Sequence, residues 1–173
     1  MSKEYWCFES ESGETSFLAG VVDVLSDNLS LHCTAYNTLD ADVFYIPNQD
    51  ISQFNEAVKK RMRSYYSMLG GLDTPEKIEA LDFHLIRKDC EPSQYIIDSV
   101  KELSKSDAAK EAIKEFVREL EWHLQKPICI YEPTHMTDKN LAVLELGYIG
   151  SAWRYFFIAF EDYMVLMIIG TSE

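Results

Sequence analysis

Two apolar segments near the end of the sequence constrain the fold more than any other feature. Residues 153–160 and 163–169 are joined by Glu161 and Asp162, and most positions in both segments are aliphatic or aromatic. Side chains alternate between the two faces of a strand, so such segments are typical of strands covered on both faces. We therefore predict a C-terminal hairpin at the centre of an antiparallel sheet. Helices should cover one face, and an N-terminal hairpin, a second subunit or a binding partner should cover the other.

Three longer segments repeat apolar residues every three or four positions, which is typical of amphipathic helices. The first begins at Asp50, a good capping residue, and ends at Gly70. The second begins at Pro92, and the third ends before Pro127. A shorter helix is predicted over residues 76–80.

The first fifty residues are predicted to form strands. Their segments are residues 5–8, 17–25, 29–36 and 43–46, with a hairpin loop at residues 26–28. Residues 81–86, 128–131 and 141–149 add further strands. The expected fold class is α+β: a single domain over residues 1–173, with a mainly antiparallel β-sheet and a C-terminal central hairpin packed against about three amphipathic helices.

The composition predicts a cytoplasmic protein that does not enter a membrane. The 173 residues are 47% hydrophobic, which is enough for a core that needs no disulfide bonds or metal ions to stabilise it. The start of the sequence lacks the features of a signal peptide, and no apolar run approaches the ~20 residues of a membrane helix. Cys7, Cys33, Cys90 and Cys129 are isolated from one another, so we expect free thiols rather than disulfides.

The chain has an excess of acidic over basic residues, and most of this imbalance lies in its first third. The sequence has 29 acidic and 16 basic residues, a net charge of −13, and residues 1–50 hold nine of the acids against one base. Such an excess favours association with a basic partner. Lys59, Lys60 and Arg63 reverse the sign locally, but we expect them to form a solvated helix face, because the acidic surroundings would repel phosphate. No direct binding of nucleic acid is predicted.

The sequence contains no recognisable catalytic or cofactor motif. It lacks a glycine-rich phosphate loop, the H-E-x-x-H and G-x-S-x-G patterns, and the cysteine and histidine spacing of zinc sites. We therefore expect a protein that is not an enzyme and that needs no metal or cofactor.

Some weaker groupings of polar side chains remain. Glu132 and His135, with Asp138, follow a predicted strand and are the residues that a small metal-dependent hydrolase would use. Asp40 and Asp42 flank one residue, but no glycine and glutamate complete a calcium loop after them, so we interpret them as exposed loop acids.

Two further groupings have simpler interpretations. Glu119 and His123 lie one helical turn apart, which indicates a partly buried histidine oriented by a carboxylate. Cys90 lies near a helix start, where the pKa of a thiol can fall, but without a histidine nearby we interpret it as an ordinary cysteine.

The end of the chain carries a resemblance to a known class of proteins. Residues 155–173 form an aromatic strand, an acidic turn, an aliphatic strand and a short polar tail. In this pattern, and in its size, acidity and expected fold, the chain resembles bacterial toxin-immunity proteins, including those paired with contact-dependent growth-inhibition toxins. The resemblance implies a cytoplasmic protein without activity of its own. Many such toxins are nucleases with basic clefts, which an acidic surface can occupy in place of phosphates.

We therefore expect an inhibitor that binds a cognate, basic toxin domain through acidic and aromatic residues of its first third. The candidate partner-binding residues are Glu9, Glu11, Glu14, Asp23, Asp27, Tyr36, Asp40, Asp42 and Tyr45. The tyrosines are included because an aromatic side chain among carboxylates can anchor an interface.

Two alternatives stay open: the hydrolase, and a scaffold that dimerises through its C-terminal sheet. The inhibitor is expected to be a monomer or weak dimer. It could bind through acidic loops or through a strand edge.

Overall fold

A computed structural model of the chain describes residues 10–32, 37–68, 75–101, 107–134 and 151–171. In chain order these form α1 (Ser10–Ser30), β1 (Asn37–Tyr45), α2 (Phe54–Met68), α3 (Pro75–Glu79), β2 (Leu85–Arg87), α4 (Pro92–Lys101), α5 (Asp107–Leu124), β3 (Cys129–Pro133), β4 (Ser151–Ala159) and β5 (Tyr163–Thr171). Two 3-10 turns, Pro47–Gln49 and Ile51–Gln53, lead into α2. The strands predicted over residues 5–8 and 141–149, and the helix end predicted at Gly70, lie outside the described residues.

Strands β4 and β5 form the hairpin that the sequence predicts at the centre of the sheet. The strand order is β1-β5-β4-β3-β2, and all neighbouring strands are antiparallel. Across the hairpin turn, the Phe160 N–H donates to the Tyr163 carbonyl at 2.8 Å. The pairing shifts register between Ala152 and Arg154. The α+β fold class is confirmed.

Each face of the sheet is covered by its own layer of helices. On one face, Phe156 and Val165 join a buried cluster with residues of α1, α4 and α5. On the other face, Phe157 and Leu166 pack with residues of α2 and α3. The prediction that both faces are buried is confirmed. The prediction that an N-terminal hairpin, a second subunit or a partner covers the second face is wrong, because helices α2 and α3 cover it.

Phe54, at the start of α2, is central to the second layer. Its ring lies edge-on to Phe157, with 4.8 Å between ring centres, and to Phe83 at 5.8 Å. The Asp50 carboxylate fixes the approach to the helix, because it accepts the Ser52 N–H at 3.1 Å. The capping role that the sequence predicts for Asp50 is confirmed, and it aims the first buried ring of α2 at the sheet.

The strands predicted in the N-terminal third are wrong over the residues that α1 occupies. Residues 17–30 belong to one helix, and the turn predicted at residues 26–28 lies inside it. Leu18, Ala19, Val22 and Leu29 recur with helical spacing and are buried against the sheet. Valine-rich residues 17–25 resemble a strand locally, but only the helix brings this set of side chains to one face.

The other long helices agree with their predicted patterns. Pro92 lies in the first turn of α4. The buried side of α5 consists of the stripe expected from the sequence: Ile113, Phe116, Val117, Leu120 and Leu124. None of the helices in the described part of the chain combines the length and the apolar character needed to cross a membrane.

Side chains form hydrogen bonds with the backbone along part of the outer edge of β1. The Ser30 hydroxyl, at the end of α1, donates to the Leu39 carbonyl at 2.9 Å and accepts the Leu39 N–H at 3.2 Å. Further along, the Asp42 carboxylate accepts the Val43 N–H at 2.8 Å and pairs with Arg61 of α2 at 2.9 Å. These side chains occupy backbone hydrogen-bonding positions that an additional strand would need. They also tie α1 and α2 to the edge of the sheet.

We predict that Ser30→Ala lowers the free energy of unfolding by about 1–3 kcal/mol, because it leaves the N–H and carbonyl of buried Leu39 without their partner. Unfolding in urea measures the loss. Asn28→Ala, an exposed change in the same helix, is the control and should stay within about 0.5 kcal/mol of the unmodified protein. Equal effects of the two substitutions would show that the Ser30 contact does not stabilise the fold.

Candidate functional site

The solvent-facing side of α1 carries a line of apolar side chains. Phe17, Val24 and Leu31 follow one another in steps of seven residues, which places them along one side of the helix and the turn after it. Phe17 is 64% exposed, Val24 67% and Leu31 81%. Gly20 and Asp27 lie between them and are also exposed. We call these five residues the α1 ridge, and exposed apolar side chains aligned along one side of a helix make it a candidate contact site.

The same helix carries acidic residues and no basic one. Its 21 residues include four acids, of which Asp23 and Asp27 are exposed at the ridge. On α5, by contrast, Asp107 and Glu111 each lie 2.7 Å from a lysine three residues further on. Helix α1 therefore contains no cation of its own that could offset its carboxylates.

The predicted partner-binding residues do not all fall within the described structure. Asp23 and Asp27 are exposed on α1. Glu9 and Tyr36 lie outside the described residues, as do the side chains of Glu11, Glu14 and Asp40. The backbones of Glu11 and Glu14 belong to α1, and Asp40 pairs with Ile168 in the sheet.

Asp42 and Tyr45 contact the body of the protein. Burial raises the pKa of Asp42, and the nearby Arg61 guanidinium offsets this only in part. The Tyr45 ring lies edge-on to Tyr163, with 5.5 Å between ring centres. The interpretation of Asp40 and Asp42 as loop acids is wrong, because both lie in strand β1. Among the nine predicted residues, the described side chains that stand exposed are those of Asp23 and Asp27.

Three of the four basic residues of α2 pair with carboxylates, while Lys60 is exposed as predicted. Besides the pair of Arg61 with Asp42, the Arg63 guanidinium donates to Glu79 of α3 at 2.7 Å. Lys59 lies 3.3 Å from Glu56 within α2, and the Lys59 side chain is only 16% exposed. Arg61 and Arg63 therefore join α2 to β1 and α3, whereas Lys59 pairs within the helix.

A second polar group lies on the sheet face beside α4. Lys88, after β2, donates to Glu132 of β3 at 2.8 Å, and the Tyr95 hydroxyl of α4 donates to the other Glu132 oxygen. Arg154 of β4 donates to the Tyr95 hydroxyl at 3.1 Å, with its guanidinium carbon 5.2 Å from the centre of the Tyr95 ring. We call Lys88, Tyr95, Glu132 and Arg154 the α4 polar cluster.

Glu132 is held as a carboxylate in this cluster. Burial raises the pKa of Glu132, but the hydrogen bonds and charge of Lys88 and the Tyr95 hydroxyl outweigh it, so that the pKa lies below its ordinary value. A metal ion bound by Glu132 would compete with Lys88 and Tyr95 for the carboxylate oxygens. The other ligands of the hydrolase hypothesis, His135 and Asp138, lie outside the described residues. Within the described residues, no three His, Cys, Asp or Glu side chains are grouped around a common point.

Cys90 and His123 are both exposed. Partial burial raises the pKa of the Cys90 thiol more than the charge of Lys88 lowers it, so the thiol is protonated at neutral pH. His123 is not partly buried as predicted, and its ring lies 6.5 Å from that of Phe17. Its predicted partner Glu119 lies 3.2 Å from Arg118 instead.

Comparison with known proteins gives no match for this chain among protein families, curated proteins or solved structures. The geometry of the chain itself is therefore what bears on its function.

The α1 ridge follows from a sequence signal that the strand prediction conceals. In a strand over residues 17–25, Phe17 and Val24 point to opposite faces, because their separation is odd. In a helix, the same separation of seven places them on one side. The repeated step from Phe17 to Val24 to Leu31 is thus visible in the sequence, but only after the helix has been recognised.

We predict that Glu132→Gln lowers stability more at pH 7 than at pH 3. A folded-state pKa below the unfolded value means that ionised Glu132 stabilises the fold above its unfolded pKa of about 4.3, and that this is lost as the pH falls through the folded pKa. The loss at pH 7 should be no more than about 1 kcal/mol, since surface pairs are weak and the Lys88 and Glu132 side chains are 39% and 32% exposed. Urea unfolding at the two pH values measures the difference. An equal loss at both would show that the charge of Glu132 is not its cause.

Proposed function

We propose that this chain is a non-enzymatic immunity protein that binds and neutralises a basic, nuclease-type toxin domain in the cytoplasm, and that the toxin docks on the outer side of α1. The observation that carries the proposal is the α1 ridge, whose exposed apolar side chains lie on a helix with four acids and no base. The net charge of −13 and the resemblance of the C-terminal segment to immunity proteins support the same function.

The acidic and apolar groups of this surface have different roles in binding. A nuclease cleft is basic because it holds phosphate, so carboxylates at the ridge accelerate encounter, towards ~10⁸ M⁻¹s⁻¹ at low salt. The exposed side chains of Phe17, Val24 and Leu31 then supply the desolvated anchors that give the complex its lifetime. A helix bound in this way covers the cleft and excludes nucleic acid.

The fold presents this surface in a fixed conformation. Leu18, Val22 and Leu29 bury the inner side of α1 against the sheet and α5, and Ser30 fixes its C-terminal end to β1. The outer side therefore needs little ordering when a partner binds, which lowers the entropic cost of association.

The proposal is tested by pairing the chain with basic toxin domains, starting with any that is encoded beside it. In a bacterial host, co-expression of the chain should restore growth to cells that make its cognate toxin domain. The purified pair should form a complex in which the nuclease no longer cleaves nucleic acid. If the neighbouring toxin domain kills cells that contain the chain, and the two proteins do not bind, the proposal is rejected.

We predict that reversing both exposed acids, as Asp23→Lys with Asp27→Lys, slows association with the toxin domain about tenfold at low salt and flattens its dependence on ionic strength. Stopped-flow fluorescence measures the rate. Glu76→Lys with Glu161→Lys is the matched control, since both acids are exposed and lie outside α1. Equal slowing by the two double variants would mean that net charge, and not the surface of α1, governs the encounter.

We further predict that Gly20→Lys weakens binding while stabilising the fold. A Cβ atom at Gly20 meets nothing within 4 Å, and the better helix propensity of lysine should raise the free energy of unfolding by about 0.5–1 kcal/mol. The new side chain places a positive charge between Phe17 and Val24, so the dissociation constant for a basic partner should rise about tenfold. Calorimetry measures both quantities. Gly20→Ala is the control, with a similar gain in stability and unchanged binding; retained binding in Gly20→Lys would place the partner elsewhere.

A further inference from the structure

The exposed apolar surface of α1 continues onto the neighbouring helix α5. Residues of both helices join the same buried cluster on one face of the sheet, and the two helices contact each other. The Phe17 ring, at one end of the α1 ridge, lies edge-on to the His123 ring of α5, with 6.5 Å between ring centres. The α1 ridge therefore adjoins the C-terminal part of α5.

Trp122 lies directly before His123 and is 82% exposed. Leu120 and Leu124, on either side of it in the sequence, belong to the buried stripe of α5, so the indole points away from the sheet. A single exposed apolar side chain is ordinary on a protein surface. Trp122, however, follows directly on the contact between Phe17 and His123, and so it extends the exposed apolar surface of the α1 ridge.

The indole of Trp122 is open to a cation from a partner. Arg118, one helical turn before Trp122, is the residue of α5 placed to cover it, but the Arg118 guanidinium pairs with Glu115 and Glu119. On α1, which carries no basic residue, Asp23 and Asp27 are exposed. An open aromatic face with carboxylates on the adjacent helix is complementary to the ammonium or guanidinium groups of a basic protein.

The size of a stable interface also calls for more than one helix. Helix α1 has 21 residues and is about 30 Å long, so a strip of roughly 10 Å width along it offers about 300 Å². Stable complexes bury roughly 800 Å² on each partner. A toxin domain bound at the α1 ridge therefore covers a neighbouring element as well. Helix α5 adjoins the ridge through His123 and presents an exposed tryptophan next to it.

We propose, on the basis of the function proposed above, that the toxin domain docks across α1 and α5 and that a basic side chain of the toxin stacks on the Trp122 indole. Phe17, His123 and Trp122 form the aromatic centre of this footprint, and Asp23 and Asp27 belong to its charged rim. Tryptophan is enriched among the residues that dominate binding energy, and its ring is the best aromatic acceptor for a cation.

Binding kinetics with the basic toxin domain encoded beside the chain test the role of Trp122. Trp122→Ala should raise the dissociation constant about tenfold or more through faster dissociation, at an unchanged association rate. The melting temperature should not change, because the side chain is exposed. Ile86→Ala is the matched control and should leave both rates unchanged. Ile86 is apolar and 55% exposed, and it lies in β2, at the edge of the sheet opposite to the β1 edge on which α1 packs.

Two further variants test the stacking on the indole. Trp122→Phe keeps an aromatic face, whereas Trp122→Leu keeps an apolar side chain without one. The phenylalanine variant should therefore bind the toxin domain about threefold more tightly than the leucine variant. Equal dissociation constants for the two would overturn the stacking.

The failure of this proposal is distinguishable from the failure of the proposed function. If Phe17→Ala weakens binding but Trp122→Ala leaves the kinetics unchanged, the toxin is confined to α1, and the extension onto α5 is overturned while the proposed function stands. If the unmodified protein does not bind the toxin domain, the proposed function is rejected, and the docking across α1 and α5 with it.

Discussion

Burial of the β4–β5 hairpin on both faces is the constraint on which the rest of the structure depends. Phe156 and Phe157 are adjacent in sequence, point to opposite faces and are both 0% exposed. Burying each phenylalanine contributes roughly 1.5–3 kcal/mol, so each face needs its own cover, and the helices supply both. At their edges, β5 pairs with β1 and β4 with β3. The described sheet thus leaves β4 and β5 no edge or face for a second copy of the chain.

The sequence correctly predicts the elements whose hydrophobic pattern is compatible with only one type of secondary structure. Helices α2, α4 and α5 each show a single clear helical repeat, the C-terminal strands are short continuous apolar segments, and each element lies where its pattern indicates. Residues 17–25 are compatible with two periods, because Val21, Val22 and Val24 favour a strand locally. The helix prevails because Leu18, Val22 and Leu29 reach the same buried cluster only in that form. Tertiary burial decides such a segment, and local preference does not.

The polar contacts could not be predicted from spacing at all. Tyr95 meets Glu132 and Arg154, which are 37 and 59 residues further along the chain. Asp42 was a candidate for an exposed acidic surface, yet it pairs with Arg61 of a helix that only the fold brings beside it. Counting charges gives the net charge of a region, but it does not distinguish carboxylates that face solvent from those that pair with other residues of the protein. Asp23 and Asp27 face solvent because the inner side of α1 is apolar.

The choice between a strand edge and a helix face as the docking element follows from the same geometry. Strand addition needs a row of N–H and carbonyl groups that have no partner, but Ser30 and Asp42 engage the β1 backbone at Leu39 and Val43. At the other edge of the sheet, β2 is only three residues long. Helix α1, with 21 residues, offers about 30 Å of continuous surface. Its apolar ridge would also favour association between copies of this chain, and the acidic residues beside it oppose that by repulsion. Under the proposed function, the carboxylates that attract a basic partner thus also oppose self-association through the ridge.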